Sequence, residues 1–284
     1  MIADTTIKRP ALRYYGGKWN LAPWIISHFP PHKNYVEPCG GAASVLLQKP
    51  RSPLETYNDL DGNVVNFFRV LRDSPDELIR KIRLTPFARE EVEISKWDIQ
   101  GDDIERARIF FVRCNFGISA RPGGGVSANY GPSIYHGQSY TNRVVDVEQI
   151  KSGMKIISDR LIGVQIEHRE AVSIIDNFDH EEALIYFDPP YLQETRGHED
   201  DVYSLEMNKQ AHIEAAALLR SCSGFVVVSG YACPLYTELY EAHRWSRVDK
   251  EAQTNSGGKR IESLWLSPRT VEALNMPRQM SMSL

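Results

Sequence analysis

Ala183-Leu184-Ile185-Tyr186-Phe187-Asp188-Pro189-Pro190-Tyr191 decides the reading of this chain. Five apolar or aromatic residues in a row predict a strand buried on both faces, as in a parallel sheet. Two consecutive prolines cannot continue a hydrogen-bonded ladder, so the backbone must leave the sheet just after Asp188. Similar short runs that stop at turn residues predict further strands at Asn34–Glu37, Leu54–Tyr57, Gly163–Ile166, Phe225–Ser229 and Ile261–Leu266. Between them, helical spacing appears over Asn63–Leu71, Ile104–Arg113 and Asn208–Arg220, the last with Asn208 as its N-cap. Strands alternating with helices predict an α/β fold with a mostly parallel sheet, whose last strand alternates less cleanly and reads as antiparallel.

The remaining sequence narrows the function classes. The chain has 284 residues, 42% hydrophobic and 25% charged, which excludes disordered, collagen-like and disulfide-scaffold proteins. Its net charge of −4 excludes a protein that is basic all over, so any nucleic-acid contact must come from a local patch. No apolar run approaches the roughly 18 residues of a membrane span, and the N-terminus lacks the apolar core of a secretory signal. Cys39, Cys114, Cys222 and Cys233 form no CxxC pair. A cytoplasmic protein with free thiols and no bound metal is expected.

One stretch departs from the strand–helix rhythm. Residues 74–160 add further helical patterns and the loop-rich segment Arg121–Arg143, too long for a plain connection inside an α/β unit. They are expected to form an inserted, mainly helical subdomain, leaving residues 1–73 and 161–284 as the main domain. From Ile104 to Arg160 eight Lys or Arg face four Asp or Glu, so cations are in excess where glycines and aromatics also gather.

Four segments carry chemistry. Asp188-Pro189-Pro190-Tyr191 leaves the carboxyl end of a sheet, where open α/β folds bind ligands. It holds together a carboxylate, a carbonyl with no N–H on the following residue, and an aromatic ring. That set suits an exocyclic amine, which needs two acceptors for its hydrogens and a face to stack its base; a plain strand-ending turn is the structural alternative. Glu37-Pro38-Cys39-Gly40-Gly41 runs from a strand into a small-residue helix, where glycines allow close approach and Glu37 can face a cationic group. Asp59, about 20 residues on, suits ribose hydroxyls, although Asn58 or Asp59 could simply cap the next helix. Tyr14, Gly17 and Lys18, in RYYGGKW, supply an aromatic ring and an ammonium. His28 and His32 are separated by Pro30 and Pro31, which argues against a metal pair.

In this order the segments resemble the Dam-like family of DNA adenine N6-methyltransferases, over roughly Pro10 to Arg269. YYGGK is similar to the family's opening motif, YVEPCGGAASV to its cofactor loop with Cys39 where Phe is common, NDLD to its ribose-binding segment and YFDPPY to its catalytic loop. The resemblance implies a Rossmann-like methyltransferase sheet that binds S-adenosylmethionine (AdoMet), with residues 74–160 as the target-recognition region on double-stranded DNA. It further implies that Tyr14, Gly17, Lys18, Glu37, Pro38, Cys39, Gly40, Gly41, Asp59 and Asp188 surround the cofactor. Glu170 stands near the family's adenine-contacting Asp. Asp188 and the Pro189 carbonyl would accept the two N6 hydrogens while Pro190 fixes the turn and Tyr191 stacks on an adenine extruded from the helix. The recognition region would supply Arg121, Asn129 and Tyr130, with Arg113 and Arg143 on phosphates beside Arg106 and Arg108. Arg121 could equally read a base or hold a phosphate. The acidic run Glu199-Asp200-Asp201 reads as an exposed lid. RNA adenine methylation and a non-catalytic DNA-binding homologue are the alternatives, with a nicotinamide oxidoreductase further off. Target sequence, oligomeric state (a monomer included) and a restriction partner are left open by the sequence.

Overall fold

The computed structural model describes residues 6–14, 16–95, 99–116, 139–196, 205–253 and 259–276, with side chains at 139–147, 252–253 and 259 outside the description. Strands β1 (Asn34–Glu37), β2 (Leu54–Asn58), β3 (Gln165–Glu167), β4 (Ala183–Phe187), β5 (Phe225–Gly230), β6 (Ser246–Gln253) and β7 (Lys259–Leu266) form one sheet. Its order is β3-β2-β1-β4-β5-β7-β6. β1 to β5 pair in parallel, and β7 runs antiparallel to both β5 and β6. The expected α/β fold, mostly parallel with an antiparallel end, is the observed one. β4 lies between β1 and β5, and all five of its residues are buried.

Two strands depart from the sequence reading. β6, SRVDKEAQ, was not expected: it is an edge strand rich in charge, a composition that discourages pairing with other chains and hides the strand signal. β3 starts at Gln165 rather than Gly163, because Gly163 takes the left-handed conformation (φ +84) in the turn that follows a long helix.

Helices cover both faces. On one side α8 (Ala171–Phe178), α9 (Lys209–Ser221) and α10 (Pro234–Leu239) pack through Ile174, Ala215 and Leu235 against Ile185, Val228 and Trp265. On the other lie α1 (Ala22–Ile26), α2 (Ser44–Gln48) and α3 (Gly62–Asp73). Next come α4 (Pro75–Leu84), α5 (Arg89–Ser95), α6 (Asp103–Phe116) and α7 (Ser139–Leu161), with α11 (Pro268–Asn275) closing the chain. Within the described residues the stretch 74–160 shares its core with the main domain. Leu78, Ile82, Phe110, Phe111 and Met154 join the cluster that holds Tyr35, Leu184 and Leu264. A buried ion triad adds a polar tie: Glu55 of β2 accepts from Lys49 at 2.6 Å and from Arg160 of α7 at 2.6 and 2.9 Å. Such a group is tolerated in the interior only because each charge is paired.

Candidate active site

The strand order reverses beside β1, which has β2 on one side and β4 on the other, so the loops leaving β1 and β4 diverge and open a crevice at their carboxyl ends. A cavity of about 290 Å³ fills it, lined by Tyr14, Lys18, Glu37 to Gly41, Asp59, Glu170 and Asp188 to Pro190 among others. Three of the four motif segments meet there because three strands end side by side, and Tyr14, Gly16, Gly17 and Lys18 of the fourth line the same cavity.

The glycine loop after β1 is shaped by contacts that no side chain would allow. A Cβ on Gly40 would stand 2.2 Å from the Tyr57 ring, and Gly41 adopts φ +46. The Gly41 N–H donates to Asp59 Oδ2 at 2.8 Å and the Tyr57 hydroxyl donates to the Gly41 carbonyl at 2.7 Å. Asp59 Oδ1 accepts from the Asp61 N–H at 2.8 Å, so the carboxylate is fixed by two backbone donors and keeps lone pairs for a ligand. The next helix, α3, is capped by Asp61, whose Oδ1 accepts from the Asn63 N–H at 2.9 Å. Neither Asn58 nor Asp59 serves as that cap.

Asn58 has a role the sequence reading missed. Fully buried, it donates to the carbonyls of Pro38 (2.7 Å) and Arg169 (2.9 Å) and accepts from the Arg169 N–H (2.9 Å). It thereby ties together the chain leaving β1, β2 and β3 at the cavity floor. Glu170, immediately after, sits at the N-cap of α8 without using its side chain as a cap, and lines the cavity.

Burial controls the acids. Glu37 is 2% exposed and accepts from the Tyr35 hydroxyl at 3.0 Å. Removal from water pushes its carboxyl up to about 8, against the pull of that hydrogen bond. At neutral pH the buried Glu37 carboxyl is therefore mostly protonated. Asp59 is pushed up to about 6 by burial, countered by its backbone donors. The Cys39 thiol is raised by burial first and then by Asp59 and Asp188, which makes it a poor nucleophile.

Asp188 is also raised by burial, and the Lys18 ammonium opposes that shift. Lys18 Nζ lies 3.1 Å from Asp188 Oδ2 and donates to the Gly16 carbonyl at 3.0 Å. Lys18 thus does more than line the pocket: its positive charge opposes the rise that burial imposes on the Asp188 carboxyl. Asp188, Pro189 and Pro190 face the cavity, but Tyr191 turns inward at 4% exposure. Its hydroxyl, with one hydrogen to give, lies within hydrogen-bond reach of two alternative acceptors, Asp188 Oδ1 at 3.0 Å and Glu262 Oε1 at a shorter distance. One ring face lies under Lys18 Nζ, 4.6 Å from the centroid, and Tyr231 packs edge-on at 4.7 Å. In this arrangement the ring expected to stack on a base is covered, because two carboxylates draw its hydroxyl into the interior.

The expected DNA contacts fare differently. Arg121, Asn129 and Tyr130 lie outside the described residues, as does the run Glu199–Asp201. Arg143 belongs to α7, in the part whose side chains are outside the description. Arg113 is buried at 8% exposure, with Nε donating to the Ser95 carbonyl at 2.6 Å, so it ties α5 to α6. Arg108 pairs with Glu91 and Glu105 at 2.6 Å each, and Arg106 with Asp103 at 3.5 Å. The excess of cations counted in the sequence is thus largely spent inside the fold among the described residues. Among them, no group of three or more His, Cys, Asp or Glu is placed to hold a metal ion.

Known proteins resemble this chain over most of its length. The family of D12 class N6 adenine-specific DNA methyltransferases matches residues 14–97 and 135–255. The chain is 26% identical over 273 residues to a protein of Lactococcus lactis subsp. cremoris named Type II methyltransferase M1.LlaDCHI, covering 88% of this chain and 90% of that one. It is 23% identical over 261 residues to the DNA adenine methylase of Haemophilus influenzae, covering 84% and 85% respectively. A DNA adenine methylase of Vibrio cholerae is 31% identical over 120 residues, 39% of this chain. The match takes in the glycine loop, the acidic end of β2 and the Asp-Pro-Pro-Tyr turn that together build the cavity, and on that ground the chain belongs to the D12 class of N6 adenine-specific DNA methyltransferases.

Proposed function

We propose that this protein is a site-specific methyltransferase that moves the methyl group of AdoMet to N6 of an adenine extruded from double-stranded DNA. The observation that carries the reading is the juxtaposition, at one crevice, of Asp188-Pro189-Pro190 with the Gly40–Gly41 cradle and Asp59. The residues present fit AdoMet. Gly40 and Gly41 leave room for close approach, Asp59 keeps lone pairs for ribose hydroxyls, and buried Glu37 awaits a cation. Leu60, Val172 and Leu205, all exposed, line the same cavity and offer apolar surface to a purine. Glu170 stands at the edge of that surface.

When bound, AdoMet supplies an electrophilic methyl group on a sulfonium. The chain's own residues prepare the nucleophile. The N6 lone pair of adenine is delocalised into the ring, so the amine attacks poorly until its hydrogens are held. The Asp188 carboxylate accepts one and the Pro189 carbonyl the other, favouring a pyramidal nitrogen and offsetting the positive charge that develops on it. The Lys18 ammonium, 3.1 Å from Asp188 Oδ2, favours the charged carboxylate against the effect of burial. Holding the two reactants in line supplies much of the remaining acceleration. Residues 74–160 serve as the target-recognition segment, with base and phosphate contacts from Arg121, Asn129, Tyr130 and Arg143.

The test compares labelled methyl incorporation from AdoMet into duplex DNA, single-stranded DNA and RNA of one sequence. Incorporation into duplex DNA at adenine N6 is expected; preference for RNA, or binding of DNA without transfer, would replace this reading.

A further inference from the structure

Glu262 lies outside the four chemistry-bearing segments, in the C-terminal strand KRIESLWL, yet it reaches the side chains around Asp188. It lies midway along β7, alternating with Leu264 and Leu266, and is 4% exposed. Its Oε1 accepts from the Tyr191 hydroxyl and stands 3.7 Å from Lys18 Nζ. The same hydroxyl is 3.0 Å from Asp188 Oδ1, and the same ammonium 3.1 Å from Asp188 Oδ2. Two buried carboxylates therefore compete for one phenol and one cation. Burying a second acid beside the first is unfavourable unless the pair is well bonded, and an apolar residue in line with the two leucines would avoid that penalty.

We propose that Glu262 is a positioning residue for methyl transfer, acting on Asp188 through Tyr191 and Lys18. The proposal rests on the methyltransferase reading above. A phenol carries a single hydrogen. When Glu262 takes it, Asp188 Oδ1 is left free to accept from the target amine, while Lys18 fixes Oδ2. Without Glu262, the phenol gives its hydrogen to Asp188 Oδ1 and occupies the oxygen the amine needs. The two acids are far apart in sequence, and their strands flank β5, β4 on one side and β7 on the other, so only the side chains that reach across bring them together.

The test is a double-mutant cycle on the full chain with Glu262→Gln, Tyr191→Phe and both together. Turnover on duplex DNA gives kcat, calorimetry gives the AdoMet Kd, and thermal melting reports the fold. In Glu262→Gln the neutral amide oxygen is a weaker acceptor than the Asp188 carboxylate, so the phenol hydrogen passes to Asp188 and kcat is expected to fall by about tenfold or more, with AdoMet affinity within about twofold of wild type. In the Tyr191→Phe background the same change adds less than about twofold. Wild-type kcat in Glu262→Gln, or an equal loss with and without the Tyr191 hydroxyl, overturns the assignment. Should Glu262→Gln fail to fold, Glu262→Asp keeps the charge but shortens the reach, and wild-type kcat in that variant overturns it equally. Transfer by the wild type is the control: its absence would sink the methyltransferase reading, not this residue alone.

Discussion

Replacing Glu37 by glutamine keeps the shape of the side chain and removes its titration. Folded, Glu37 holds its proton up to about pH 8; unfolded, it releases it near the ordinary value of 4.5. The folded state therefore binds more protons than the unfolded one between those limits, and this group makes the protein less stable as pH rises through them. Each pH unit in that window costs somewhat over 1 kcal/mol, so the group removes roughly 3 kcal/mol between pH 5 and 8. Asp59, pushed up to about 6, shifts both proteins alike and drops out of the difference. Urea unfolding at pH 5, 6, 7 and 8, followed by tryptophan fluorescence, measures the stability of both. The gain of Glu37→Gln over wild type is expected to grow steadily across the series and level off above pH 8. A constant difference would mean that Glu37 ionises in the folded state at an ordinary pH and that the cavity floor is wetter than its burial implies.

Other substitutions test the surrounding scaffold. Gly40→Ala puts a methyl group into the Tyr57 ring, and should cost about 1–3 kcal/mol in unfolding experiments and weaken AdoMet binding by calorimetry. Asn58→Ala strands the buried carbonyls of Pro38 and Arg169 together with the Arg169 N–H. It should lower stability by at least about 2 kcal/mol, and an unchanged melting temperature would refute its tying role. Arg113→Gln should destabilise the fold while leaving the salt dependence of DNA binding unaltered; a shallower salt slope would restore it as a phosphate contact.

The sheet was largely readable because its strands are short apolar runs cut off by prolines, glycines or acids. β4 ended where Pro189 and Pro190 required, and α9 began with the Asn208 side chain accepting from the Ala211 N–H. β6 was hidden because an edge strand carries charge instead of apolar alternation. The loops of the site were legible for the same reason as the strands: each immediately follows a strand end. What sequence spacing could not give was lateral order. Asn58 ties three segments only because β1, β2 and β3 are neighbours, and Glu262 meets Tyr191 only because β7 pairs with β5. A signal existed in the second case, since an acid alternating with leucines inside a strand is a buried charge in need of a partner. A charge count over 104–160 does not distinguish free cations from paired ones, since it ignores the carboxylates that Arg108 and Arg160 find in the fold.

The most direct test of the account incubates wild type and Asp188→Ala with AdoMet carrying a heavy-isotope methyl group and random-sequence duplex DNA, then digests the DNA to nucleosides for mass spectrometry. The wild type is predicted to yield labelled N6-methyl-2′-deoxyadenosine at one flanking sequence. The variant should fold and yield none. Label on a cytosine, no label at all from the wild type, or undiminished methylation by Asp188→Ala would contradict the assignment of the reaction to the Asp188–Pro190 turn.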